Sequence, residues 1–233
     1  LASWYRRMRR RGDSVRASES PFRRLPPLTA RRALGGQAVF YAGLAVIVAV
    51  LTSRVAGGLP AVRFAPTWGD AAWGVLGVLA YLAYNAIAPI LLGVLPGGRH
   101  VISWLARRNQ VVFGNLPLGV LVALALMAGV FEELIFRGWL QPIAGLWMTS
   151  LVFALAHFPP HRCRWAHPVT WGMIALYFPV GLGMGALYIM RGNLFAPVMT
   201  HLVSDTLGLL VIARGVRRAA AGAQPAGSTR TAA

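Results

Sequence analysis

Long apolar runs, broken by short polar stretches, divide this chain. "GQAVFYAGLAVIVAVLTSRVA" covers 36–56, a second run covers 71–95, and "PLGVLVALALMAGV" opens a third over 117–141. A short fourth run covers 145–159 and ends at "HFPP"; a fifth covers 169–190 and a sixth 194–213. Runs of about 20 residues with few charges have the length a helix needs to cross a bilayer. The pattern predicts an all-α fold, a polytopic membrane helix bundle of about six spans. A polar connection with "PGGRH" and "ARRNQ" separates the second and third spans. Pro89, Pro179 and Pro197 fall within spans, where each removes a backbone donor and can kink its helix. "GLGMG" sets Gly181 and Gly185 at a small-xxx-small spacing that permits close helix contact.

Composition agrees. The 233 residues are 57% hydrophobic and 12% charged, about half the charged fraction of an ordinary soluble domain. The formal charge is +17, and all 23 basic residues are arginine. Ten of them lie in the first 32 residues. A basic stripe can mark a nucleic-acid site, but this one has no repeated aromatics for stacking bases. Beside membrane spans it reads as a cytoplasmic flank against anionic lipid, and no nucleic-acid partner is expected. Residues 1–35 are expected to form a basic, partly disordered arm, 36–213 a transmembrane domain, and 214–233 a disordered tail. With the N-terminus inside, one side of the membrane holds 19 arginines and the other only Arg54, Arg63, Arg137 and Arg191. That split predicts a multi-pass protein of the cell (inner) membrane with both termini cytoplasmic. The first span starts too far along for an ordinary signal peptide and reads as an uncleaved anchor. Cys163 is the single cysteine, so no internal disulfide forms.

The chemistry lies where charge is least expected. The chain has six acids, and Glu132, Glu133 and Asp205 all fall inside spans, as do His157 and His201. A charge near the bilayer centre costs on the order of 3 kcal/mol. Five such groups persist together if they meet one another. Glu133 and His157 lie on either side of the turn expected near Pro142–Ala144, each roughly 15–20 Å from it along its helix. His201 lies at a similar rise from the turn near Arg191–Asn193, which alternation of spans puts on the same side. All these groups therefore fall at one depth. Glu133 and Arg137 are four apart and share a helix face, as an ion pair requires. Glu132 points away from that pair by about 100°. His201 and Asp205 are four apart, and so are Phe153 and His157.

Here a family comes into view. "EELIFR", "FALAH" and "HLVSD" fit EExxxR, FxxxH and HxxxN/D. In this order, in successive spans, they resemble the CPBP family: CAAX prenyl proteases of the Ras-converting type and bacteriocin-processing and self-immunity proteins. The resemblance covers about 117–213. It implies an intramembrane endopeptidase acting on a membrane-associated or lipidated protein or peptide. Glu132 would be the general base for water, His157 would hold or polarise that water, and His201 would stabilise the oxyanion. Asp205 stands where eukaryotic prenyl proteases have Asn, and it would orient His201 or act protonated. Glu133 and Arg137 would be structural or bind a substrate carboxylate, with Phe153 in support.

That mechanism needs no cofactor. A metal-dependent form of the same protease is the rival: Glu132, His157 and His201 suit zinc with an open water position, although no HExxH is present. Other classes remain. Intramembrane acids and histidines also build proton relays, although no inverted repeat of a common transporter type is evident. A non-catalytic scaffold or immunity protein would keep the same motifs. For Glu133 and Arg137 alone, a buried ion pair fixing helix register serves equally well.

Overall fold

The computed structural model describes residues 28–64, 66–157 and 168–221. The expected disorder of the arm and the tail falls largely outside these residues. All elements among the described residues are helical. Helix α1 (Ala30–Ala56) starts six residues before the expected span, capped by the Thr29 side chain, which accepts from the Arg32 amide. It ends at Gly57 with φ 72°, a left-handed conformation that glycine adopts without penalty. Helix α2 (Trp68–Val94) opens on a capping box: Thr67 Oγ1 accepts from the Asp70 amide at 3.2 Å, and Asp70 Oδ2 accepts from the Thr67 amide at 2.9 Å.

The polar connection is itself a helix, α3 (Gly98–Phe113). Val101, Ile102 and Leu105 recur at helical spacing and pack on Leu92, Val169 and Met173. Arg99 before that face and Arg107 and Arg108 after it disguise it in the sequence.

Helix α4 (Leu118–Met127) continues into a π-helical segment, Ala128–Leu140, which holds both membrane glutamates. Extended π-helix is rare, and it concentrates at functional sites. Helix α5 (Gln141–Ala156) follows without a gap but breaks at Gly145, where φ is 74° and ψ 171°. The chain reverses there. Phe136 and Phe153 would lie about 25 Å apart along a straight helix, yet their ring centroids are 5.3 Å apart. The apparent 39-residue span Leu118–Ala156 is therefore two arms, as the third and fourth apolar runs predict. Helices α6 (Pro168–Arg191) and α7 (Phe195–Ala221) complete the bundle. Pro89 and Pro179 sit inside α2 and α6. Pro197 falls in the first turn of α7, where a missing N–H costs little. Helix α7 continues to Ala221, so 214–221 are helical rather than disordered tail.

Among the described residues five helical stretches are long and apolar enough to cross a membrane, and the reversal at Gly145 divides the third of them into two arms. The ends sort into two groups. At one end Leu194 donates its amide to Arg63 O at 3.0 Å, and Arg191 Nε donates to Asp70 Oδ1 at 2.7 Å. At the other, Ala33, Leu116 and Ala213 share one apolar cluster. The outer surface is apolar: Val39, Ile47, Leu79, Ile90 and Val211 are all exposed. In water such a surface would be a liability; lipid is the solvent that suits it.

Candidate active site

The π-helical segment sits inside the bundle. Glu132, Glu133 and Arg137 are all buried, with Glu133 and Arg137 almost completely so. Small-residue contacts of the segment and of its neighbours allow the close packing. Gly129 lies against the Leu202 backbone of α7, Gly138 against Val62, and the α6 glycines against α5. A Cβ on Gly181 would stand 3.0 Å from Ser150, and one on Gly185 would clash with Leu146 and Gln141. The freed backbone is put to use. Arg137 donates from a terminal guanidinium nitrogen to Gly181 O, and Gln141 Nε2 donates to Gly185 O, both at 3.1 Å.

Glu133 is shared between two partners. Its Oε2 pairs with Arg137 Nε at 3.2 Å, and its Oε1 accepts from His201 Nδ1 at 2.7 Å. The Arg137 guanidinium carbon also lies 4.5 Å from the centroid of the Phe153 ring, within cation–π range. Phe153 thus touches Arg137 on one side and His157 on the other, with ring centroids 4.6 Å apart for the latter pair.

His157 ends the short arm of α5. Its Nδ1 lies 2.8 Å from Phe153 O. A carbonyl only accepts, so Nδ1 carries the proton and Nε2 faces the site. The ring stacks on Tyr177 of α6 at 4.2 Å. His157 Nε2 and His201 Nε2 each stand 3.9 Å from Glu132 Oε2. That oxygen is buried and has no hydrogen-bond partner among the described residues. Asp205 Oδ2 is 3.5 Å from His201 Nε2, and Asp205 is partly exposed.

The structure therefore brings together all seven residues singled out in the sequence. It also adds residues that spacing does not reveal. Tyr41 of α1 donates its hydroxyl to Glu132 Oε1 at 2.6 Å, and Gln37 donates to the Tyr41 oxygen at 3.0 Å. The visible signal is a polar pair four residues apart in an otherwise apolar span.

The donor chemistry of Glu132, His157 and His201 suits zinc, and as placed their ligand atoms stand wider than in a closed zinc site. Ligand atoms of a tetrahedral zinc site stand about 3.3 Å apart, and both nitrogen–oxygen separations here are 3.9 Å. Among the described residues no group of three or more side chains is arranged to hold a metal ion.

Comparison with known proteins falls on the same stretch. Residues 114–207 match the family described as type II CAAX prenyl endopeptidase Rce1-like. All three motifs lie within this stretch. YpbD, an uncharacterized protein of Bacillus subtilis (strain 168), is 30% identical over 99 residues, which make up 42% of this chain and 49% of the relative. The chain thus spans about half the length of the curated relative it matches. No solved structure matches. Tyr41, Gln37 and the whole of α1 and α2 lie outside the Rce1-like stretch.

Proposed function

We propose that the chain is an intramembrane endopeptidase that hydrolyses a peptide bond of a membrane-associated or lipidated protein or peptide, with water activated by Glu132. The observation that carries this reading is the convergence of two imidazole Nε2 atoms on one unpartnered carboxylate oxygen, each at 3.9 Å. Two hydrogen bonds of about 2.8 Å meeting near a right angle span that distance. A water held there donates one proton to Glu132 Oε2 and the other toward the His157 Nε2 lone pair.

Glu132 takes the first proton as the water oxygen bonds to the scissile carbonyl carbon. His201 has an acceptor beside each ring nitrogen, Glu133 at one and Asp205 at the other. Its doubly protonated form is therefore fully paired, and Nε2–H donates to the oxyanion. Collapse of the tetrahedral species breaks the C–N bond. Glu132 returns its proton to the leaving amine. The substrate class follows the family's description, a prenylated CAAX-type sequence, and the lipid bilayer supplies both solvent and substrate. The arginine split supports a cell-membrane protein with both termini in the cytoplasm.

The test is cleavage of a prenylated CAAX peptide, and of an unlipidated membrane peptide, by the purified full chain. Glu132→Gln should keep the fold and lower kcat by about 10²–10⁴-fold. Full activity in that variant would sink the mechanism. Activity lost to a chelator and restored by zinc would replace it with a metal-dependent one.

A further inference from the structure

The hydrogen bonds around Glu132 are directional, and counting donors fixes which way they run. The Gln37 amide nitrogen has two protons. One goes to Leu124 O at 3.1 Å and the other to the Tyr41 oxygen at 3.0 Å. The Tyr41 oxygen is thus an acceptor toward Gln37. Its single proton goes to Glu132 Oε1, 2.6 Å away, a length typical of a hydroxyl on a carboxylate. The phenol ring cannot swing freely, because Tyr41 is buried and stacks on Phe131 at 5.9 Å. Gln37 and Tyr41 are four residues apart and share one face of α1. Leu124 O, the far anchor of the relay, belongs to α4, which continues directly into the segment bearing Glu132.

We propose that Gln37 and Tyr41 form a positioning relay that clamps Glu132 Oε1, so that Oε2 alone faces His157 and His201 and takes the proton from water. The inference rests on the hydrolytic reading above. It goes beyond that reading because it assigns a functional part to α1, outside the matched stretch. Without the clamp the carboxylate turns about its terminal bond, and its two oxygens exchange. The base is then correctly aimed only part of the time, while the substrate's binding contacts are untouched. The effect falls on kcat and spares KM.

The experiment uses the purified full chain in lipid nanodiscs with a prenylated CAAX peptide. Tyr41→Phe keeps the ring and removes the proton donor. It should lower kcat by about 10–100-fold, the usual worth of a hydrogen bond to a charged group, with KM nearly unchanged. Gln37→Leu should give a smaller fall in kcat. Adding Tyr41→Phe to Glu132→Gln should cost nothing further. Thr52→Val is the control, since Thr52 is a buried residue of the same helix whose hydroxyl donates to Val48 O at 2.6 Å; it should keep kcat. An infrared readout needs no turnover: the carboxylate stretch assigned by its loss in Glu132→Gln should shift in Tyr41→Phe. An unshifted band, full kcat in Tyr41→Phe, or an equal loss in Thr52→Val would each overturn the relay. If the wild-type chain cleaves neither peptide class, the hydrolytic reading fails, and the band alone then decides whether the clamp exists.

Discussion

Glu133 Oε1 lies 2.7 Å from His201 Nδ1, whereas Asp205, one turn along the same helix as His201, approaches its other nitrogen only to 3.5 Å. The second glutamate of the pair is thus the residue that orients His201, and its other oxygen holds Arg137. One carboxylate joins the motif segment, α7 and, through Arg137, α6.

Glu133→Gln should therefore be worse for folding than Glu132→Gln. An amide presents one acceptor oxygen, so it serves His201 or Arg137 and leaves the other buried without a partner. A loss of about 3–5 kcal/mol is expected, as for other broken buried pairs. Thermal unfolding in detergent, side by side for the two variants, checks the order; equal stability would contradict the shared role.

Arg137→Ala should reduce folded yield at least as much as it reduces activity. It removes the partner of Glu133, the donor to Gly181 O and the cation over Phe153 together. Arg137→Lys keeps the charge but cannot make the same fork of contacts, so it should recover only part of the yield. Membrane abundance by quantitative blotting measures both. A normally abundant but inactive Arg137→Ala would mean that the guanidinium serves substrate binding.

His157→Ala and His201→Ala should each impair cleavage severely. Combining either with Glu132→Gln should be little worse than the worst single change, because groups acting on one water form a unit. Multiplicative losses in the single-turnover rate would argue that they act in separate steps.

Gly181→Ala should destabilise the α5–α6 contact by about 1–3 kcal/mol, the usual cost of overpacking, because its Cβ meets the Ser150 backbone at 3.0 Å. Gly183→Ala, two residues away with no neighbour within 4 Å, should cost nothing. The difference in thermal midpoint between the two variants is the measurement, and equal midpoints would refute the packing argument.

A tag on the C-terminus should be digested by protease in inside-out vesicles. Protection there would reverse the orientation inferred from the arginines.

The convergence of Glu132, His157 and His201 was legible because helical rise is linear: residue counts from a turn give depth, whatever the neighbours are. The Glu133–Arg137 pair was legible for the same local reason. The tie from Glu133 to His201 spans 68 residues, and spacing carries no record of which helices become neighbours. Tyr41 was hidden because a tyrosine in an apolar span serves equally well as packing. The helix α3 was hidden because Arg99, Arg107 and Arg108 flank its short apolar group on both sides. The π-helical form of the motif segment has no residue signature, since the wider turn is decided by packing around it. The 214–221 stretch reads as tail because arginine and alanine do not reveal whether they extend α7.

The paired bonds from Arg137 and Gln141 to Gly181 and Gly185 act as a rack with two teeth. Donors and acceptors are each four residues apart, so the smallest axial slip that returns any tooth to a notch is about 6 Å. Such a step would seat Arg137 opposite Gly185 or Gln141 opposite Gly181, never both, and would pull the guanidinium away from Phe153. The two bonds together therefore admit a single register of α6 against the motif segment, and a slip of less than a turn satisfies neither donor.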